Sequence, residues 1–191
     1  MRFLTFLLYI LTSCSTMVKE VPPLSTIVPT SSVSPPSETK LVGTVTFKPD
    51  LKYTNASEKA IIEKASIKLN EVTHSACFHD FISHRKMIQT NNKTSSEVAS
   101  HLASLAGQID VLMYFNRWTS AIAYRQPPTL KINLNRNYFT ASKSLCEWAS
   151  TMAHEGLGHA LGNYEHSFNA TKDRDYSVPY SINAAFEMCC H

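Results

Sequence analysis

The chain has 191 residues, 43% of them hydrophobic and 17% charged, with a formal net charge of +3. The charges are scattered and the balance drops by one if Arg2 leaves with a leader, so neither nucleic acid nor a strongly anionic surface is an expected partner. Setting aside the N-terminal segment, about 150 residues remain, enough to bury the core of one domain.

Residues 1–13 combine Arg2 with an apolar run too short for a permanent membrane span, the pattern of an export signal. Leu11-Thr12-Ser13-Cys14 resembles the bacterial lipobox, which implies cleavage before Cys14, lipidation of its thiol and anchoring in the cell envelope. Ser15 implies the outer rather than the inner membrane by resemblance to lipoprotein sorting signals. Residues 14–38 are then the lipidated Cys and a Ser/Thr/Pro-rich flexible tether, and residues 39–191 the folded domain, an expected monomer.

Leu41 to Phe47 alternates as a first strand, and apolar Ile61, Ile62, Ala65, Leu69 and Val72 place a long amphipathic helix from Ser57. His74, His79 and His84, five apart, scatter around a helix and read as surface. Thr94-Ser95-Ser96-Glu97 is a capping box opening a helix that buries Val98, Leu102 and Leu105 and stops at Gly107. Ile109–Phe115, Thr119–Tyr124 and Thr129–Asn135 read as strands, with Pro127-Pro128 in the last turn. A second capping box, Ser144 to Glu147, opens a helix that sends Trp148 and Met152 to the core and closes at Gly162.

That last helix carries His154-Glu155-Gly156-Leu157-Gly158-His159, with Glu165 and His166 downstream. Two imidazoles and a third ligand can hold one Zn²⁺ ion and leave a position for water, and Glu155 beside them can act as general base. In a regular α-helix, residues four apart are about 40° apart around the axis, but residues five apart are about 140° apart, too far to share an ion. A π-bulge near Gly156–Gly158 absorbs the extra residue. Three of the five glycines lie in this segment, against helix propensity. Deleting Gly156 is expected to restore four-residue spacing and to preserve or improve metal affinity.

The H-E-x-x-x-H run resembles the dipeptidyl peptidase III signature, although the second, glutamate-rich helix motif of that family has no counterpart here. From His159 onward the chain resembles metzincins, with Gly162 three residues after the second His and a third His at position 166, one residue later than in that family. Ser177-Val178-Pro179-Tyr180 stands where a Met-turn belongs, with Pro in place of Met. The resemblance implies a small metzincin-like zinc-peptidase domain of α/β class. Its expected parts are a twisted, mostly parallel sheet with an antiparallel edge strand, two packing helices and an active-site helix. It further implies that Thr119–Tyr124 is the edge that receives an extended peptide or protein substrate. The third ligand is His166 or, alternatively, Glu165, which fills the family's slot. Tyr180 is either an oxyanion donor or a core tyrosine, and Met188 a core methionine. Glu155 favours hydrolysis over a catalytically silent metal-binding lipoprotein, because a purely structural site has no use for a base.

With Cys14 lipidated, Cys77, Cys146, Cys189 and Cys190 form an even set in an oxidising compartment. Adjacent cysteines rarely pair, so Cys189 and Cys190 are expected to tie the C-terminus to Cys77 and Cys146 in either pairing. The alternatives are buried free thiols and, as a lesser reading, a second metal site at Cys189, Cys190 and His191.

Overall fold

A four-stranded sheet in the order β1-β2-β4-β3 carries helices on one face. The computed structural model describes residues 43–119, 121–138, 143–166 and 173–191, so the expected export signal, the expected lipidation at Cys14 and the expected tether all fall outside the described residues. β1 (Val45–Pro49), β2 (Gly107–Tyr114) and β4 (Lys131–Asn135) are parallel, and β3 (Ala123–Arg125) runs antiparallel beside β4 at the edge. Alternation explains the layering. Val45, Phe47, Ile109, Val111 and Met113 are buried, while Thr46, Lys48, Gln108 and Asp110 between them face solvent.

The helices are α1 (Ala56–Thr73), α2 (Ala76–His84), α3 (Ser95–Ser104), α4 (Leu145–Ala153) and α5 (Val178–Cys189). Thr94 and Ser144 form the expected capping boxes with Glu97 and Glu147, and Asn55 forms a third with Glu58. None of the described helices is long and apolar enough to cross a membrane.

Several expectations need correction. Two packing helices are too few, because α2 and α5 join the layer through Phe78, Ile82, Ile182 and Phe186. The Met-turn position is instead the first turn of α5, where Pro179 is tolerated because its missing N–H would have no helical partner. Met188 is exposed, not core. Gly107 does not stop α3, which ends at Ser104 with Leu105 as its cap. It opens β2 with φ +152°, a conformation open to glycine. Along the edge, β3 is confined to Ala123–Arg125, half the expected length. His74 and His84 are exposed as expected, and His79 is half-buried on α2.

The two sheet edges are treated differently. On β1, the outward N–H and C=O of Val45 bond the Asn70 side chain, and Phe47 N–H donates to Ser66 Oγ, so α1 closes that edge. β3 keeps its outer edge. Its ladder with β4 runs through Ile122 O and Gln126 N, which turns the N–H and C=O of Ala123 and Arg125 outward.

The C-terminal cysteines resolve into Cys77–Cys189 and Cys146–Cys190, tying the end of α5 to α2 and to α4.

Candidate metal centre

α4 passes at His154 directly into a π-helix, His154–Leu161, which ends at Gly162. The widened turn expected from the five-residue spacing is therefore eight residues long. It is closed by the bond from Gly162 N–H to Leu157 O, 3.0 Å. π-helical turns bring residues five apart onto nearly the same face. The rings of His154 and His159 accordingly lie 5.1 Å apart.

Two glycines have steric reasons to be there. A Cβ at Gly156 would sit 2.6 Å from the Phe47 ring and 2.8 Å from Ile109 Cδ1, and one at Gly162 would sit 2.3 Å from Leu157 O. Gly156 is thus the surface on which the π segment rests against β1 and β2, not a spare residue. Its deletion would press a larger neighbour into the same slot, so the expectation of preserved metal affinity is withdrawn. Gly156→Ala tests this. Helix propensity alone favours Ala by about 1 kcal/mol, but overpacking a buried contact costs about 1–3 kcal/mol. A melting temperature a few degrees lower is expected; an unchanged or higher one would show that the core gives way freely.

After Gly162 the chain reverses through Asn163, with φ +53°, a conformation asparagine tolerates. Tyr164 N–H then bonds Gly158 O, and the Tyr164 ring is fully buried. This return carries Glu165 and His166 back over the helix. His166 joins the other two histidines, with its Nε2 3.3 Å from His154 Nε2 and its ring 4.8 Å from that of His159. Glu165 points away and pairs with Arg125 at 3.0 Å. His154, His159 and His166 together could hold a metal ion, one ligand atom from each lying within 4.8 Å of the others.

The donor set fits such an ion. Two imidazole nitrogens at 2.0–2.1 Å from a tetrahedral ion are about 3.3–3.4 Å apart, and His154 and His166 already stand at that distance. His159 Nδ1 lies 2.6 Å from Tyr164 O. A carbonyl can only accept, so Nδ1 carries the hydrogen and Nε2 keeps a lone pair, the usual arrangement behind a ligating histidine. Burial, reinforced by the neighbouring His159 and His166, pushes His154 down to about 3. The Pro179 carbonyl and the Asn183 side chain oppose this weakly, without full hydrogen-bond geometry at Nδ1. His159 is likewise lowered by burial, against the pull of the Tyr164 carbonyl. Both rings are therefore neutral at ordinary pH, as metal ligation requires.

Glu155, one residue on, lies in the same cleft of about 730 Å³, bordered by β3. Burial raises its carboxyl to about 7, although the Arg125 N–H and guanidinium favour its charged form. Tyr180, from the first turn of α5, presents its ring 5.0 Å from both His154 and His166. The structure thus brings all five candidate site residues together.

Arg125 is the residue that sequence reasoning missed. It lies on β3 and donates to the His159 carbonyl at 2.6 Å, one of the acceptors near the end of the π segment, while holding Glu165. Nothing local in the sequence signals that role, because it depends on sheet order. No protein-family model matches the chain, and neither a curated protein nor a solved structure matches it.

Proposed function

We propose that the domain is a zinc-dependent peptidase of metzincin-like design, exported as a lipoprotein and held at a bacterial membrane, the outer one by preference, through lipidated Cys14. The observation that carries the peptidase reading is the coincidence of three converging imidazoles, a half-buried carboxylate and an open sheet edge in one cleft. Three neutral histidines suit Zn²⁺, and a site limited to three protein ligands leaves room for reaction. When bound, zinc supplies Lewis-acid polarisation of a water molecule and of the scissile carbonyl.

The protein groups supply the rest. The outward N–H and C=O of Ala123 and the outward C=O of Arg125 bond an extended peptide by strand addition and fix its register, while the Arg125 N–H stays with Glu155. Glu155 takes a proton from the attacking water at a carboxylate oxygen and returns it to the departing amine. Tyr180 donates its phenolic hydrogen to the oxygen on which negative charge collects. Arg125 holds the π segment and the edge strand at a fixed separation.

The test is hydrolysis of a quenched-fluorescent peptide library by the purified full chain. Expected is cleavage abolished by a chelator and restored by zinc. Absence of cleavage from protein with a full zinc complement would favour the silent metal-binding lipoprotein instead. The anchor is tested separately. Cys14→Ser should move the protein from the membrane to the soluble fraction, because two or more acyl chains are the only stable membrane anchor proposed. Retention of the variant on membranes would refute lipidation at this residue.

A further inference from the structure

We infer that Arg174 anchors a carboxylate of the substrate, so that the proposed peptidase prefers peptides bearing an anionic group within two or three residues of the scissile bond. The preference presupposes the peptidase reading, but the observations behind it are separate from the histidines.

Arg174 lines the same cleft as Glu155 and the three histidines. Its guanidinium carbon stands 4.8 Å from the centre of the Tyr180 ring, which in turn stands 5.0 Å from the rings of His154 and His166. One tyrosine ring therefore separates the guanidinium from the metal centre, a distance that an extended chain at about 3.3–3.6 Å per residue covers in two or three residues. Contact with an aromatic face restrains a guanidinium without consuming its N–H donors.

Those donors are poorly served. Nε is buried, and nothing among the described residues accepts a hydrogen bond from it. The nearest carboxylate, Asp175 Oδ1, is 3.8 Å away, outside hydrogen-bond range, and two-thirds exposed. A pair of that kind contributes little and yields readily to a better acceptor. The other arginine of the cleft is already committed, Arg125 donating to the His159 carbonyl and to Glu165.

The charges around the cleft point the same way. Arg125 and Glu165 cancel, leaving Glu155 against Arg174, and a divalent ion on the histidines tips the balance to positive. Such a field concentrates anions. A carboxylate is the group that a guanidinium fork fits through two parallel hydrogen bonds. An Asp or Glu side chain and a free C-terminus offer the same chemistry.

Paired peptides separate these sources: one pair differs by Asp against Asn near the cleavage site, another by a free against an amidated C-terminus. For the full chain, kcat/KM should favour the carboxylate member of one pair by tenfold or more. Arg174→Ala should collapse that ratio to near one, and Arg174→Lys, a charge without a fork, should restore only part of it. The same fluorescently labelled peptides are titrated by anisotropy against zinc-loaded Glu155→Gln chain, with and without Arg174→Ala. The affinity gap between acid and amide should likewise disappear, at unchanged zinc content. A gap that depends on Arg174 in a protein that cleaves nothing would uphold the anion anchor and sink the peptidase reading. Cleavage with equal preference within both pairs, or a preference that survives Arg174→Ala, would overturn the anchor and leave the peptidase reading intact.

Discussion

Glu155→Gln is expected to keep its metal and lose roughly 10²–10⁴-fold in peptide hydrolysis, the usual contribution of a positioned general base. The amide preserves size and can still accept from the Arg125 N–H, but cannot take a proton from water. The same substitution should stabilise the metal-free protein in a pH-dependent way. Burial raises the Glu155 carboxyl from 4.5 to about 7, so the folded state binds its proton more tightly than the unfolded state does. Its favourable contribution is thus present below about 4.5 and is lost as pH rises through about 7. At one pKa unit per 1.36 kcal/mol, Gln should gain roughly 2–3 kcal/mol over Glu at pH 8 after chelation, and nearly nothing at pH 4.5. Denaturant midpoints of the two proteins at both pH values check this. A catalytically competent Gln variant would remove Glu155 from the chemistry, and a stability difference independent of pH would place the carboxyl in water.

Loss of the disulfides should have the largest effect on stability. Cys77–Cys189 and Cys146–Cys190 span 112 and 44 residues. In the chain-entropy account, loops of those lengths restrict the unfolded state by about 4–5 kcal/mol each. A domain of this size is stable by only about 5–15 kcal/mol in total. The Cys77→Ala, Cys189→Ala variant should therefore melt much earlier, and full reduction should leave little folded protein at 37 °C. The site should fail with the fold, because α5 carries Tyr180 and supplies Pro179, which packs 3.1 Å from the position a Gly158 Cβ would take. An unchanged melting curve in strong reductant would show that the helix packing suffices alone.

What could be read in advance follows a physical divide. The π-helical segment was legible because five-residue spacing between two ligands contradicts regular helix geometry, and the glycines marked where the contradiction is resolved. Its full extent was not, since it depends on Gly156 resting against Phe47 and on the Tyr164 return, both tertiary. The packing role of helix α2 was not legible because its buried stripe is only Phe78 and Ile82, too thin to register as periodicity. Helix α5 was hidden by Pro179, which reads as a turn in sequence but is compatible with a first helical turn. Cysteine parity indicated that the C-terminal pair reaches back to Cys77 and Cys146, while the partner of each depended on how α2 and α4 approach α5. That His166 rather than Glu165 joins the cluster depends on Arg125, forty positions before Glu165, which pairs with the carboxylate.

The central claim is that a π-helical segment lets histidines five residues apart share one ion. Zinc content of the purified full chain, measured together with X-ray absorption at the zinc edge, tests it most directly. The account predicts one zinc per chain with three imidazole nitrogens at about 2.0–2.1 Å, falling to background in the His154→Ala, His159→Ala variant. Zinc that persists in that variant, or a wild-type spectrum with sulfur ligands from the C-terminal cysteines, would contradict it.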